Sequence, residues 1–76
     1  MDSSTIEQMI CTGLPGAKVN VSGADGVHFE AVVVSPEFAG KSTLQRHRLV
    51  YATLGNMMGR EIHALGLKTL APEEQG

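Results

Sequence analysis

Residues 18–35 read KVNVSGADGVHFEAVVVS, and this stretch decides the fold. Its first five residues alternate between polar and apolar side chains, as in a half-buried strand, and residues 27–35 form a second, valine-rich run. Between the two runs, residues 23–26 have the Gly-rich composition of a turn. The stretch therefore predicts a β-hairpin that ends before Pro36.

A helix is predicted on each side of this hairpin. Ser4 followed by Glu7 fits a capping box with Ser4 as the N-cap, which predicts a first helix over residues 4–13. A second capping-box pattern at residues 42–45 begins a helix over residues 42–58 that Gly59 would cap. The predicted core stripe of this second helix, which Val50 flanks, consists of Leu44, His47, Tyr51, Leu54 and Met58.

The last apolar run, residues 62–70, predicts a third strand with Leu65 and Leu67 on its core face. Pro72 and the two glutamates after it suit a final helical turn. The order α-β-β-α-β with that last turn predicts an α+β fold, in which helices cover one face of a small three-stranded sheet. With 76 residues, a single domain over residues 1–76 is expected.

Composition excludes several classes of protein. The single cysteine, Cys11, cannot form an internal disulfide, and no signal peptide or membrane-spanning stretch is visible, so a cytoplasmic protein is expected. The net charge is −2, but residues 41–60 hold four basic side chains and no acidic ones. This imbalance predicts a local basic patch on an acidic protein. No local motif suggests a catalytic triad, a phosphate-binding loop or a carboxylate pair, so an enzyme is not predicted.

The segment from Phe29 through Leu70, more than half of the chain, contains five short motifs. They are VVS at 33–35, FAGK at 38–41, LQRHRLVY at 44–51, IHAL at 62–65 and KTL at 68–70. In these motifs the chain resembles the BolA family, and its short loop before His28 is more similar to the IbaG-type subgroup. The resemblance implies a fold similar to the type II KH domain. The Gly-x-x-Gly loop of nucleic-acid-binding KH domains is not evident, since Gly55 and Gly59 have the wrong spacing.

The resemblance also implies a function. BolA-like proteins pair with monothiol glutaredoxins and share a 2Fe–2S cluster, in iron–sulfur maturation or iron regulation. The family's cluster histidine corresponds to His63, and its proposed second ligand corresponds to His28. Residue types alone favour a different interpretation of His63, as a satisfied histidine at the edge of the core.

The position of His28 leaves two alternatives. By strand parity it shares the open face of the sheet with Glu30, whereas His63 shares the core face with Leu65 and Leu67. Both histidines could then serve one metal only if His28 lies in the loop, outside the strand ladder. The alternative is that His28 is a solvated loop histidine.

The ligand count predicts a shared cluster. A 2Fe–2S cluster takes four thiolate or imidazole ligands, and the chain offers one cysteine and three histidines without metal-motif spacing. His47 falls on the predicted core stripe and is expected to be buried and hydrogen-bonded. Cys11 has no basic neighbour in sequence and is expected to be a bystander thiol. The cluster would therefore need a partner's ligands, from a glutaredoxin thiolate and its bound glutathione.

The basic helix supports an alternative function, a DNA-binding transcriptional regulator. In that function Lys41, Arg46 and Arg48 would contact phosphates. Leu49, predicted to point away from the core between two arginines, could anchor a partner surface, so the same helix face could instead dock the glutaredoxin. The alternative interpretation is a solvated helix face whose arginine stems pack on neighbouring side chains. The free chain is expected to be a monomer or a weak homodimer.

Overall fold

The computed structural model of the protein describes residues 2–23, 25–62 and 64–75. The regular elements, in chain order, are helix α1 (Ser3–Gly13), strands β1 (Lys18–Ser22) and β2 (His28–Val34), helix α2 (Thr43–Leu54) and strand β3 (Ala64–Leu70). Short 3₁₀ turns follow β2, α2 and β3 at Pro36–Phe38, Gly55–Met57 and Pro72–Glu74. The α+β order and the final turn are as predicted.

The first helix begins with a different cap from the one that the sequence suggested. The N-cap is Asp2, whose carboxylate accepts a hydrogen bond from the Thr5 backbone N–H at 2.8 Å. Ser4 lies inside the first turn, and its hydroxyl donates to the same carboxylate at 3.2 Å. The capping box at Ser4 was therefore wrong, because aspartate is as good an N-cap as serine and stands two residues earlier.

The three strands form one sheet in the order β1-β2-β3. β1 and β2 pair antiparallel, from Lys18 opposite Val34 to Ser22 opposite Glu30, which confirms the hairpin. β2 and β3 pair in parallel, so the chain must cross over between them, and α2 lies in that crossover. As a result β2 is the central strand, and β2 and β3 begin at the same end of the sheet.

The core lies between one face of this sheet and the two helices. Phe29, Ala31 and Val33 alternate along β2 and are at most 2% exposed. On β3, Leu65 is buried and Leu67 packs against the core, whereas Ala64, Gly66 and Lys68 are exposed, which confirms the predicted core face. The helices contribute further fully buried side chains, among them Ile6, Ile10, Val50 and Leu54.

Helix α2 is shorter than predicted and rotated about its axis. It ends at Leu54, where Gly55 adopts a positive φ of 58°, and not at Gly59. Leu44, predicted for the core, is 60% exposed, and Tyr51 is also exposed. His47, expected to be buried, is half-buried and meets Tyr51 edge-on, with ring centroids 6.4 Å apart.

The core-facing row of α2 runs through Arg46, Val50 and Leu54, of which Leu54 belonged to the predicted stripe. Val50 and Leu54 are buried, and Arg46 is half-buried. Leu49, predicted to point away from the core, is half-buried and packs against it. The stripe was misplaced because a charged residue occupies a core-facing position, which hydrophobic periodicity cannot anticipate. Throughout the described parts of the chain, no helix is both long and apolar enough to cross a bilayer.

Candidate functional site

The candidate site lies at the end of the sheet where β2 and β3 begin. His28 is the first residue of β2, and its partner in the parallel ladder is Ala64, the first residue of β3. His63, the predicted principal ligand, lies outside the described residues, and Ala64 is the residue that follows it in sequence. The ladder thus brings His28 beside the immediate sequence neighbour of His63.

His28 belongs to the strand and not to the loop. Its side chain is 70% exposed and shares the open face with Glu30, as strand parity predicted. His28 is therefore not the loop residue that the sequence argument required for both histidines to serve one metal. As the first residue of β2 it lies beside Ala64 at the end of the sheet, and its role as a second ligand stays a prediction. The strand begins this early because the Asp25 carboxylate accepts the Val27 and His28 backbone N–H groups at 2.9 and 2.8 Å and closes the turn.

Asp25 is a further member of this site that the sequence reasoning missed. Its second carboxylate oxygen, Oδ2, lies 2.7 Å from Nδ1 of His28. The hydrogen bond with the His28 ring, followed by those with the two backbone N–H groups, holds the pKa of Asp25 well below its usual range. The available signal was an aspartate in a Gly-rich turn three residues before the histidine, where aspartate commonly binds the following backbone.

Other metal donors do not gather at this site within the part of the chain that the structure describes. Among residues 2–23, 25–62 and 64–75, no three His, Cys, Asp or Glu side chains lie together as a metal site. Cys11 is a free thiol exposed on α1. Those described donors would therefore supply at most two of the four ligands that a 2Fe–2S cluster needs.

Arg46 differs most from its predicted role. Its guanidinium makes a bidentate ion pair with Glu74, with Nη1–Oε1 and Nη2–Oε2 distances of 2.6 and 3.0 Å. Nη1 also donates to the Thr69 carbonyl at 3.3 Å, and the guanidinium lies over the Phe38 ring, 5.9 Å from its centroid. With its side chain 11% exposed, Arg46 is not the surface cation that the sequence predicted. It fastens the C-terminal turn to α2.

The ion pair also perturbs the titration of its acidic partner. The hydrogen bonds from Arg46, together with one from the Ala71 backbone N–H, lower the pKa of Glu74 to about 2. The same pairing raises the pKa of Arg46. Both groups are therefore charged at every physiological pH.

The other residues that were predicted to contact a partner or DNA differ in their exposure. Lys41 and Arg48 are exposed, and the Lys41 ammonium donates to the Glu37 carbonyl at 2.8 Å. Leu49 packs against the core, so it is not the protruding anchor that was predicted. Of the basic stretch 41–60, Lys41, Arg48 and Arg60 are the exposed cations.

Two of the surface grooves that the described residues form differ in their position and lining. The larger, of about 490 Å³, lies between α1 and α2, and its lining includes Met9, Gly13 and Thr53 but no carboxylate, imidazole or thiol. The smaller lies on the open face of the sheet, beside Lys18 and Val32. Neither lining brings together an acid, a base and a nucleophile.

Comparison with known proteins places these features in a family context. A family model described as BolA-like protein matches residues 15–74. Protein BOLA2 of Arabidopsis thaliana is 46% identical over 57 residues, which cover 75% of this chain and 60% of the relative. The DNA-binding transcriptional regulator BolA of Escherichia coli is 40% identical over 55 residues, which cover 72% of this chain and 52% of the relative. The chain thus spans little more than half the length of these two curated relatives.

The fold also has a counterpart among solved structures. A bolA protein homologue from Coxiella burnetii matches with a TM-score of 0.89 and 50% sequence identity. The match covers 99% of this chain and 96% of that one. The predicted α+β architecture is therefore confirmed, both in the element order and in its likeness to this structure.

Proposed function

The chain belongs to the BolA-like protein family, and from that premise we propose that it is a non-enzymatic adaptor. It pairs with a monothiol glutaredoxin and shares a 2Fe–2S cluster with it, in iron–sulfur maturation or iron regulation. The observation that carries the proposal is the exposed imidazole of His28 at the common start of β2 and β3, beside the residue that follows His63. One candidate histidine thus begins β2, and the other directly precedes in sequence the first residue of β3.

The candidate metal-binding side chains of this chain fit a cluster that is shared with a partner better than a cluster that this chain binds alone. Such a cluster takes four ligands, and the described residues offer no group of three donors. His63, with His28 as the second candidate, would supply imidazole to the cluster. The glutaredoxin would supply its active-site thiolate and a bound glutathione. Imidazole in place of thiolate makes a cluster less negative and raises its reduction potential, as in Rieske centres.

The pairing is tested by mixing the chain anaerobically with a monothiol glutaredoxin, glutathione and a source of iron and sulfide. We expect a heterodimer on a sizing column and a visible absorption spectrum that differs from that of the glutaredoxin homodimer. Unchanged spectra together with the absence of a heterodimer would contradict the proposal.

Ligand assignment is tested in the same mixture with single variants. His63→Ala should keep the fold and lose the mixed-ligand spectrum, and His28→Ala should give a weaker loss. His47→Gln is the matched control, because His47 lies on α2 and packs on Tyr51, so its spectrum should equal that of the wild type. A folded His63→Ala variant with the full wild-type spectrum would move the ligand assignment to His28 or Cys11.

A DNA-binding regulator is the second candidate, favoured by the exposed cations Lys41 and Arg48 and by the name of the Escherichia coli relative. The commitment of Arg46 to Glu74 weakens it, because it removes one of the three proposed phosphate contacts. Binding would be electrostatic, so its affinity should fall steeply with salt, and Arg48→Glu should weaken it further. A titration without DNA binding at low salt would eliminate this function.

A further inference from the structure

The turn that precedes β2 uses both oxygens of one carboxylate. Oδ1 of Asp25 accepts the backbone N–H groups of Val27 and His28, at 2.9 and 2.8 Å. Oδ2 lies 2.7 Å from Nδ1 of the His28 ring. Because His28 meets the same carboxylate through its backbone and its side chain, the orientation of the ring is tied to the start of the strand.

This contact selects one tautomer of His28. A neutral imidazole carries one proton, on either Nδ1 or Nε2, and an ionised carboxylate can only accept a hydrogen bond. The short distance between Oδ2 and Nδ1 therefore requires the proton on Nδ1. Nε2 is then left with a free lone pair, on a side chain that is 70% exposed.

We propose that Asp25 is a positioning residue for His28, which holds the Nδ1–H tautomer and presents Nε2 as the nitrogen that ligates metal. The inference rests on the proposed function for the identity of that metal, the shared cluster. Metal-binding histidines commonly donate their second ring N–H to a carboxylate, which fixes the ring and raises the basicity of the ligating nitrogen. Asp25 would supply this contact from within the chain itself.

The tautomer distinguishes this role from that of an ordinary surface ion pair. Asp25→Asn keeps a carbonyl oxygen for the two backbone N–H groups, but it replaces Oδ2 with an amide that donates a hydrogen bond. The amide would favour an unprotonated Nδ1 and so move the proton to Nε2. Glu30→Gln is the matched control, because Glu30 shares the open face with His28 and the variant removes the same charge.

The first measurement uses the isolated full chain with ¹⁵N-labelled histidine, at a pH above the ordinary imidazole range, so that the rings are neutral. Long-range ¹H–¹⁵N spectra report which nitrogen of each ring is protonated, and His28→Gln assigns the signals of His28. We expect the Nδ1–H form in the wild type and in Glu30→Gln, and the Nε2–H form in Asp25→Asn. The same tautomer in wild type and Asp25→Asn would overturn the inference.

The second measurement titrates the same samples with Zn²⁺ and follows the His28 ring nitrogens. Zinc should shift Nε2 in the wild type, and Asp25→Asn should need about 10- to 100-fold more zinc, the usual cost of losing such a contact. Zinc on Nδ1 in the wild type, or equal zinc affinity in both proteins, would overturn the inference. Neither measurement contains a glutaredoxin, so neither depends on the proposed function. If the proposed function is wrong, that failure appears in the glutaredoxin mixture, as the absence of the heterodimer spectrum.

Discussion

The close approach of α1 and α2 at Gly13 leads to a quantitative prediction about stability. A Cβ atom added at Gly13 would lie 2.5 Å from Cγ2 and 2.7 Å from Cβ of Thr53. Carbon atoms in contact prefer about 3.5–4.0 Å, so Gly13→Ala would require the helices to separate by roughly 1 Å. Rotation of Thr53 cannot relieve the overlap, because its Cβ does not move and its hydroxyl donates to the Val50 carbonyl at 2.6 Å.

Two opposing effects decide the outcome of Gly13→Ala. Alanine is favoured over glycine inside a helix by about 1 kcal/mol, and the gain is smaller at Gly13 because it is the last residue of α1. Overpacking of this kind costs about 1–3 kcal/mol. We expect the steric cost to exceed the gain, so that the free energy of unfolding falls by roughly 1–2 kcal/mol.

Equilibrium unfolding in urea measures this change as a lower midpoint with an unchanged slope. Thr12→Ala is the control, because Thr12 is an exposed residue of the same helix and its replacement should leave stability equal or slightly higher. In Gly13→Ala/Thr53→Ala, loss of Cγ2 should recover part of the cost, since Cβ remains. A neutral or stabilising Gly13→Ala that is additive with Thr53→Ala would refute the reasoning.

Three further predictions concern other parts of the molecule. Because the pKa of Glu74 is about 2 in the folded chain against an ordinary 4.5, its pairing with Arg46 should stabilise the fold fully above pH 4.5 and fade towards pH 2. Urea unfolding at several pH values should therefore show the wild type losing its advantage over Glu74→Gln in that window, and a constant difference would contradict the pairing. Ile10→Ala removes a fully buried side chain and should cost about 2–5 kcal/mol, enough to leave much of so small a domain unfolded by circular dichroism. Cys11→Ser should change neither the thermal midpoint nor the cluster spectrum with glutaredoxin, and loss of that spectrum would make the exposed thiol a ligand.

The sheet could be predicted from the sequence because its pattern has a short, strict period. Alternation along residues 18–22 and the shared parity of Leu65 and Leu67 are determined by backbone geometry alone, and both agree with the structure. The faces of α2 could not be predicted in the same way. Arg46 occupies a core-facing row because its charge is neutralised by Glu74, which lies 28 residues away in the sequence. No local sequence pattern predicts an ion pair between residues so far apart.

The candidate site was predictable in part. The start of β2 at His28 and its open-face orientation follow from strand parity and turn composition. The bond between Asp25 and the His28 ring does not, because it depends on the side-chain geometry of the turn. The ligand role of His63 remains a prediction from the family resemblance.

The parallel pairing of β2 with β3 also imposes an order on folding. The β1–β2 hairpin joins near neighbours in the chain, whereas β3 meets β2 only after the whole α2 crossover has been traversed. Bringing such distant segments together costs loop-closure entropy before their contacts stabilise the fold. We therefore expect β3 to join the sheet late. Until then β2 exposes an unpaired edge on which a second unfolded chain could add a strand and begin to aggregate. The sheet end that carries His28 is therefore completed by the same late step that covers this exposed edge of β2.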